Sequence, residues 1–105
     1  MMRCLNHPAI PGTDDQRLAA FARIVAQAVA ELIRQGFSPI SFSADVVAPG
    51  LPSILVASSN KTAAAVEKER AAYYKTSTLR GVPERWGQLL YPPPGVRVIW
   101  VERGH

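Results

Sequence analysis

The stretch RWGQLLYPPPGVRVIWVE, residues 85–102, decides the fold. Its second half alternates: Val96, Val98 and Trp100 fall on one side, Arg97, Ile99 and Val101 on the other. A period of two marks a strand whose faces meet different surroundings. Ahead of it, Pro92-Pro93-Pro94-Gly95 reads as a loop. The first half, 85–91, admits two readings. It is either the partner strand across that loop, or a short helix opened by Pro83 with Glu84 in its first turn. Gly87 and the short length weaken the helix, so antiparallel pairing of 85–91 with 96–102 is preferred.

Upstream, a second hairpin is legible. Ile40, Phe42, Ala44 and Val46 alternate with Ser41, Ser43 and Asp45, as in a half-buried strand over 39–47. Ala48-Pro49-Gly50-Leu51-Pro52 reads as a turn, and Ser53-Ile54-Leu55-Val56-Ala57 as a more buried strand. Antiparallel pairing of 39–47 with 53–58 is the simplest connection.

Two helices complete the pattern. Thr13-Asp14-Asp15-Gln16 is a capping box, and Leu18, Phe21, Val25, Val29 and Leu32 form one apolar stripe behind it. Arg23, Gln27, Glu31 and Arg34 fall on the wet side, and Gly36 is a natural stop, so a helix spans 14–35. Ser59 or Asn60 can cap a second, alanine-rich helix over 61–75. Residues 76–84 read as loop, and 1–12, with Pro8, Pro11 and Gly12, as an irregular arm. The expectation is a single α+β domain over 1–105 in the order α-β-β-α-β-β. Its antiparallel sheet of three to four strands carries two helices on one face.

Composition narrows the function classes. A chain of 105 residues that is 48% hydrophobic and 19% charged is not a disordered one. The single cysteine, Cys4, excludes an intramolecular disulfide and fits a reducing cytoplasm. The longest apolar stretch, Leu18 to Ile33, is interrupted by Arg23, Gln27 and Glu31 and is shorter than the ~20 residues of a membrane span. No secretory leader is expected, because the first residues lack an apolar core. Charge is divided unevenly. Residues 1–60 hold four basic and four acidic side chains, whereas 61–105 hold eight and four, so the net +4 lies in the second half. That half also holds both tryptophans and all three tyrosines.

Enzymatic motifs are weak. Ser58-Ser59-Asn60-Lys61 matches Ser-x-x-Lys, but the companion motifs of that class are absent and a helix cap explains these residues. Asn60-Lys61-Thr62 precedes a helix without the glycines of a P-loop. Cys4 and His7 have C-x-x-H spacing, yet the only other histidine is His105, so no zinc site is complete. The carboxylates show no defensible catalytic pairing. The reading is a non-enzyme with no cofactor and no metal.

Three segments carry a resemblance: Glu31-Leu32-Ile33-Arg34-Gln35-Gly36-Phe37, Leu51-Pro52-Ser53-Ile54-Leu55-Val56 and Gly95-Val96-Arg97-Val98-Ile99-Trp100. The chain resembles small proteins encoded by temperate, Mu-like phages and prophages of Gram-negative bacteria. The resemblance implies a protein of the host cytoplasm that binds and blocks a host protein or defence complex, anti-CRISPR inhibitors included. It carries over no functional residue.

The remaining constellation is basic and aromatic. Lys75, Arg80, Arg85, Arg97 and Arg103 are interleaved with Tyr73, Tyr74, Trp86, Tyr91 and Trp100. Aromatics among cations anchor protein interfaces or stack bases. Lys75, Arg80, Arg85 and Tyr91 are the expected binding residues, whereas Trp100 shares its strand face with Val96 and Val98 and belongs to the core. The expected partner is a host protein or complex with an acidic surface. Nucleic acid is the alternative, and no membrane is expected. An exposed strand edge leaves a dimer open. If the helical stripe over 14–35 faces the sheet, Phe21→Ala is expected to destabilise by about 3–5 kcal/mol in urea unfolding. A loss below about 1 kcal/mol would make the stripe a docking face instead.

Overall fold

Thr13 opens the first helix as its neighbours require. Its hydroxyl accepts from the Gln16 amide at 3.2 Å, and its own N–H donates to the Gln16 side chain at 3.0 Å. Helix α1, Asp14–Arg34, buries Phe21, Val25, Ala28 and Leu32. Leu18, placed in the stripe by its spacing, is 49% exposed, and Ala28 takes a core position that its size concealed. The computed structural model describes residues 12–44 and 50–104. The arm over 1–11, the strand end and turn over 45–49, and His105 lie outside the described residues.

After α1 come β1 (Pro39–Ser43), β2 (Ser53–Val56), α2 (Asn60–Glu67), β3 (Ala71–Leu79), β4 (Val82–Leu89) and β5 (Arg97–Arg103). The class is α+β, and both helices share one core with a single face of the sheet. That core joins Val25, Ala28, Leu32 and Ala65 to Ile54, Val56, Val98 and Trp100. Both anticipated hairpins form. β1 runs antiparallel to β2, and β4 antiparallel to β5 with Arg85 opposite Glu102 and Gln88 opposite Ile99. Residues 85–91 are therefore strand rather than helix in the main. β1 is not half-buried as its alternation suggests: Ile40 and Phe42 are 64% and 61% exposed on this edge strand.

Three expectations are corrected. The sheet has five strands in the order β1-β2-β5-β4-β3, and its central pair, β2 with β5, is parallel. The two hairpins thus abut along their inner strands, which explains why Ile54, Val56, Val98 and Trp100 are all at most 1% exposed. The second helix stops at Glu67 instead of 75, because Glu69 takes a left-handed φ of 59° and turns the chain into β3. Residues 76–84 are not a loop but the end of β3, a tight turn at Arg80-Gly81 and the start of β4. Both turn residues have positive φ, 52° and 80°, which suits a two-residue hairpin connection. Alanine favours helix, but pairing of Ala71–Leu79 along β4 overrides that preference. Pro83 is tolerated because it lies where the β5 ladder ends, one residue before the Glu84–Arg103 pair.

Gly87 is a packing requirement. It stands opposite Trp100, and a Cβ there would overlap the indole ring. Gly87→Ala is expected to destabilise by about 1–3 kcal/mol, the usual cost of overpacking, measured by denaturant unfolding. A neutral result would show that the indole can move aside.

Candidate binding face

Strand alternation and register distribute the basic, aromatic half between two opposite faces of the sheet. On the helix side, Tyr73, Gly87 and Trp100 align across β3, β4 and β5, followed by Arg85 opposite Glu102. The Glu102 carboxylate collects them. It accepts from Trp100 Nε1 at 2.9 Å, from the Tyr73 hydroxyl at 2.9 Å and from Arg85 Nε and a terminal nitrogen at 3.1 and 3.0 Å. The Arg85 guanidinium also lies 4.0 Å from the Tyr73 ring centroid. Burial pushes the Glu102 carboxyl up, but hydrogen bonds from Trp100, Tyr73 and Arg85 outweigh it and hold the group below the usual carboxylate range. Burial and the bond to Glu102 raise the Tyr73 phenol.

The other face carries Lys75, Trp86, Gln88, Arg97, Ile99, Val101, Glu84 and Arg103, and no described helix covers it. Arg103 pairs with Glu84, whose second oxygen accepts from Ser77 at 3.4 Å. The other two cations are held by rings. Lys75 Nζ sits 4.6 Å from the Trp86 centroid, and the Arg97 guanidinium 4.7 Å from that of Tyr74. Arg97 Nε donates to Gln88 Oε1 at 3.2 Å. Among the described residues neither Lys75 nor Arg97 has a carboxylate partner. Ordinary strand alternation sends the adjacent Tyr73 and Tyr74 to opposite faces, and the β-bulge between Tyr73 and Lys75 then keeps Lys75 on the open face with Tyr74.

The four residues expected to bind are therefore not one cluster. Lys75 lies on the open face and Arg85 on the helix side. Arg80 occupies the β3–β4 turn, and Tyr91, 84% exposed, lies past the far end of β4. Arg97 belonged to the wider basic constellation, and its phase opposite Val98 and Trp100 is the signal that places it on the open face. The face of Lys75 gave no such signal, since the bulge that keeps it beside Tyr74 is invisible in the pattern.

Other candidates resolve into local roles. Ser59 caps α2, its hydroxyl accepting from Lys61 N at 3.1 Å, while its N–H donates to the Thr62 hydroxyl at 2.9 Å. Among the described residues no three His, Cys, Asp or Glu side chains are grouped to hold a metal ion, and no helix is long and apolar enough to cross a membrane. The Cys4–His7 pair lies outside the described residues. No protein family, curated protein or solved structure was found to match the chain.

The acid limb of stability tests the Glu102 cluster. A carboxylate with a depressed native pKa stabilises fully above its unfolded value and loses that contribution as pH falls through the native one. Glu102→Gln is expected to be less stable than wild type at neutral pH, with the gap closing as the pH falls below the ordinary carboxylate range. Denaturant unfolding across that range measures it, and a constant gap would show that the ionised charge is not the source.

Proposed function

We propose that the protein is a non-enzymatic binding protein of the phage or prophage type, which blocks or modulates a host protein or defence complex in the host cytoplasm. The observation that carries this reading is the open face of the sheet. Lys75 and Arg97 stand there on aromatic rings with no carboxylate partner among the described residues, while Arg85 and Arg103 are each paired to a glutamate. An uncompensated cation held against a ring is already desolvated on one side and loses little freedom on binding. Around these cations lie the partly buried Trp86, Ile99, Val101 and Leu55. An apolar, aromatic centre with a charged rim is the anatomy of a protein interface. The phage origin and inhibitory role rest on the resemblance of the three segments around 31–37, 51–56 and 95–100. Of the four residues first expected to bind, Lys75 belongs to this surface.

Charge reversal tests it. Wild type, a Lys75→Glu/Arg97→Glu variant and an Arg80→Glu control would be immobilised, exposed to host lysate and the captured proteins identified. With a captured protein repurified, the double reversal is expected to slow association about tenfold or more at low salt, and Arg80→Glu far less. Equal capture and equal association rates for all three would remove the open face as the working surface. A gel shift with mixed DNA and RNA, abolished by the same double variant, would assign the surface to nucleic acid instead.

A further inference from the structure

The two ring-held cations each rest against a β4 side chain. Trp86 underlies Lys75, and Gln88 holds Arg97. These two β4 residues are one pleat repeat apart on the same face, about 7 Å. Gln88 fixes Arg97 at Nε and Tyr74 covers its plane, so its terminal nitrogens are left as a fork that fits a carboxylate. Beside this pair, Ile99 and Val101 of β5 give the face an apolar strip. The opposite face of the same sheet already carries two helices.

We propose that the open face seats an acidic amphipathic helix of the partner protein, with Arg97 and Lys75 each taking one carboxylate. The inference rests on the reading of that face as the working surface and names what fits it. Side chains four apart on a helix are about 6 Å apart, close to the pleat repeat between Trp86 and Gln88, the two β4 positions against which the cations rest. The apolar stripe of such a helix lies on Ile99 and Val101, completing a layer that matches the one behind the sheet. A partner strand would add to a sheet edge rather than lie across its face. A phosphate backbone would leave the apolar strip unused.

The probes are a synthetic leucine-striped helical peptide with glutamates four apart, the same peptide with glutamines in their place, and a single-stranded DNA oligonucleotide. Each is titrated into the full-length, isotope-labelled protein by NMR. The glutamate peptide is expected to shift the Trp86 indole N–H, the Arg97 Nε–H and the Ile99 and Val101 methyls. Glutamine replacement in the peptide, or Arg97→Gln in the protein, is expected to weaken binding about tenfold, and Arg80→Gln to leave it unchanged. The inference is overturned if the oligonucleotide moves these resonances and the glutamate peptide does not, or if peptide shifts are confined to the helix side. Should the peptide fail while capture from host lysate still depends on Lys75 and Arg97, the helix is wrong and the binding-protein reading stands. Should both fail, neither stands.

Discussion

The Trp100 indole is wholly buried where β5, β4 and the helices meet, and its Nε1–H has to find an acceptor there. A buried donor left without one costs about 1–3 kcal/mol. Glu102, two residues on along the same face of β5, supplies it. The solution constrains the rest. Gly87 must lack a side chain to admit the ring, and Glu102 must be neutralised, which commits Arg85 and Tyr73 to the same side. One large aromatic thus sets the composition of three neighbouring strands.

The commitment of Arg85 inward has a consequence for the outward face. Each strand of the β3-β4-β5 half carries basic residues, but the sheet uses them differently on its two sides. Inside, the cation and the carboxylate meet and cancel. Outside, the Glu84–Arg103 pair occupies the hairpin end, while Lys75 and Arg97 are stabilised by Trp86 and Tyr74 instead of by acids. A ring holds a cation in place without neutralising it. Positive charge therefore remains available on the face that no described helix covers, and this gives the proposed docking surface its chemistry.

Local chemistry in the chain was enough for several elements. The Thr13–Gln16 box, the α1 helix, the Ser59 cap and the alternation over 96–102 each report on contacts between near neighbours, and each has its expected structure, with Leu18 alone leaving the buried stripe for solvent and Ala28 joining it. Gly87 counted against a helix, and its strand position opposite Trp100 shows why it is there. The reading failed over 68–84, where alanines promise a helix and Pro83 promises a break. The aromatic and β-branched run Tyr73-Tyr74-Lys75-Thr76-Ser77-Thr78 favours strand, and pairing along β4 makes it one.

Residue types and spacings determined two helices, two hairpins, an α+β class and a basic, aromatic second half. Tertiary structure alone decided the fifth strand, the parallel β2–β5 seam and the face on which each cation lies. The physical reason is range. Caps, stripes and turns depend on residues a few positions apart, whereas strand neighbours are chosen by burial of a shared apolar face across long chain separations. The seam brings Ile54 beside Val98 from segments that no local pattern connects. Alternation puts Tyr73 behind Glu102 and Tyr74 under Arg97, and the bulge between Tyr73 and Lys75 then shifts the phase of β3 so that Lys75 lies over Trp86 on the open face.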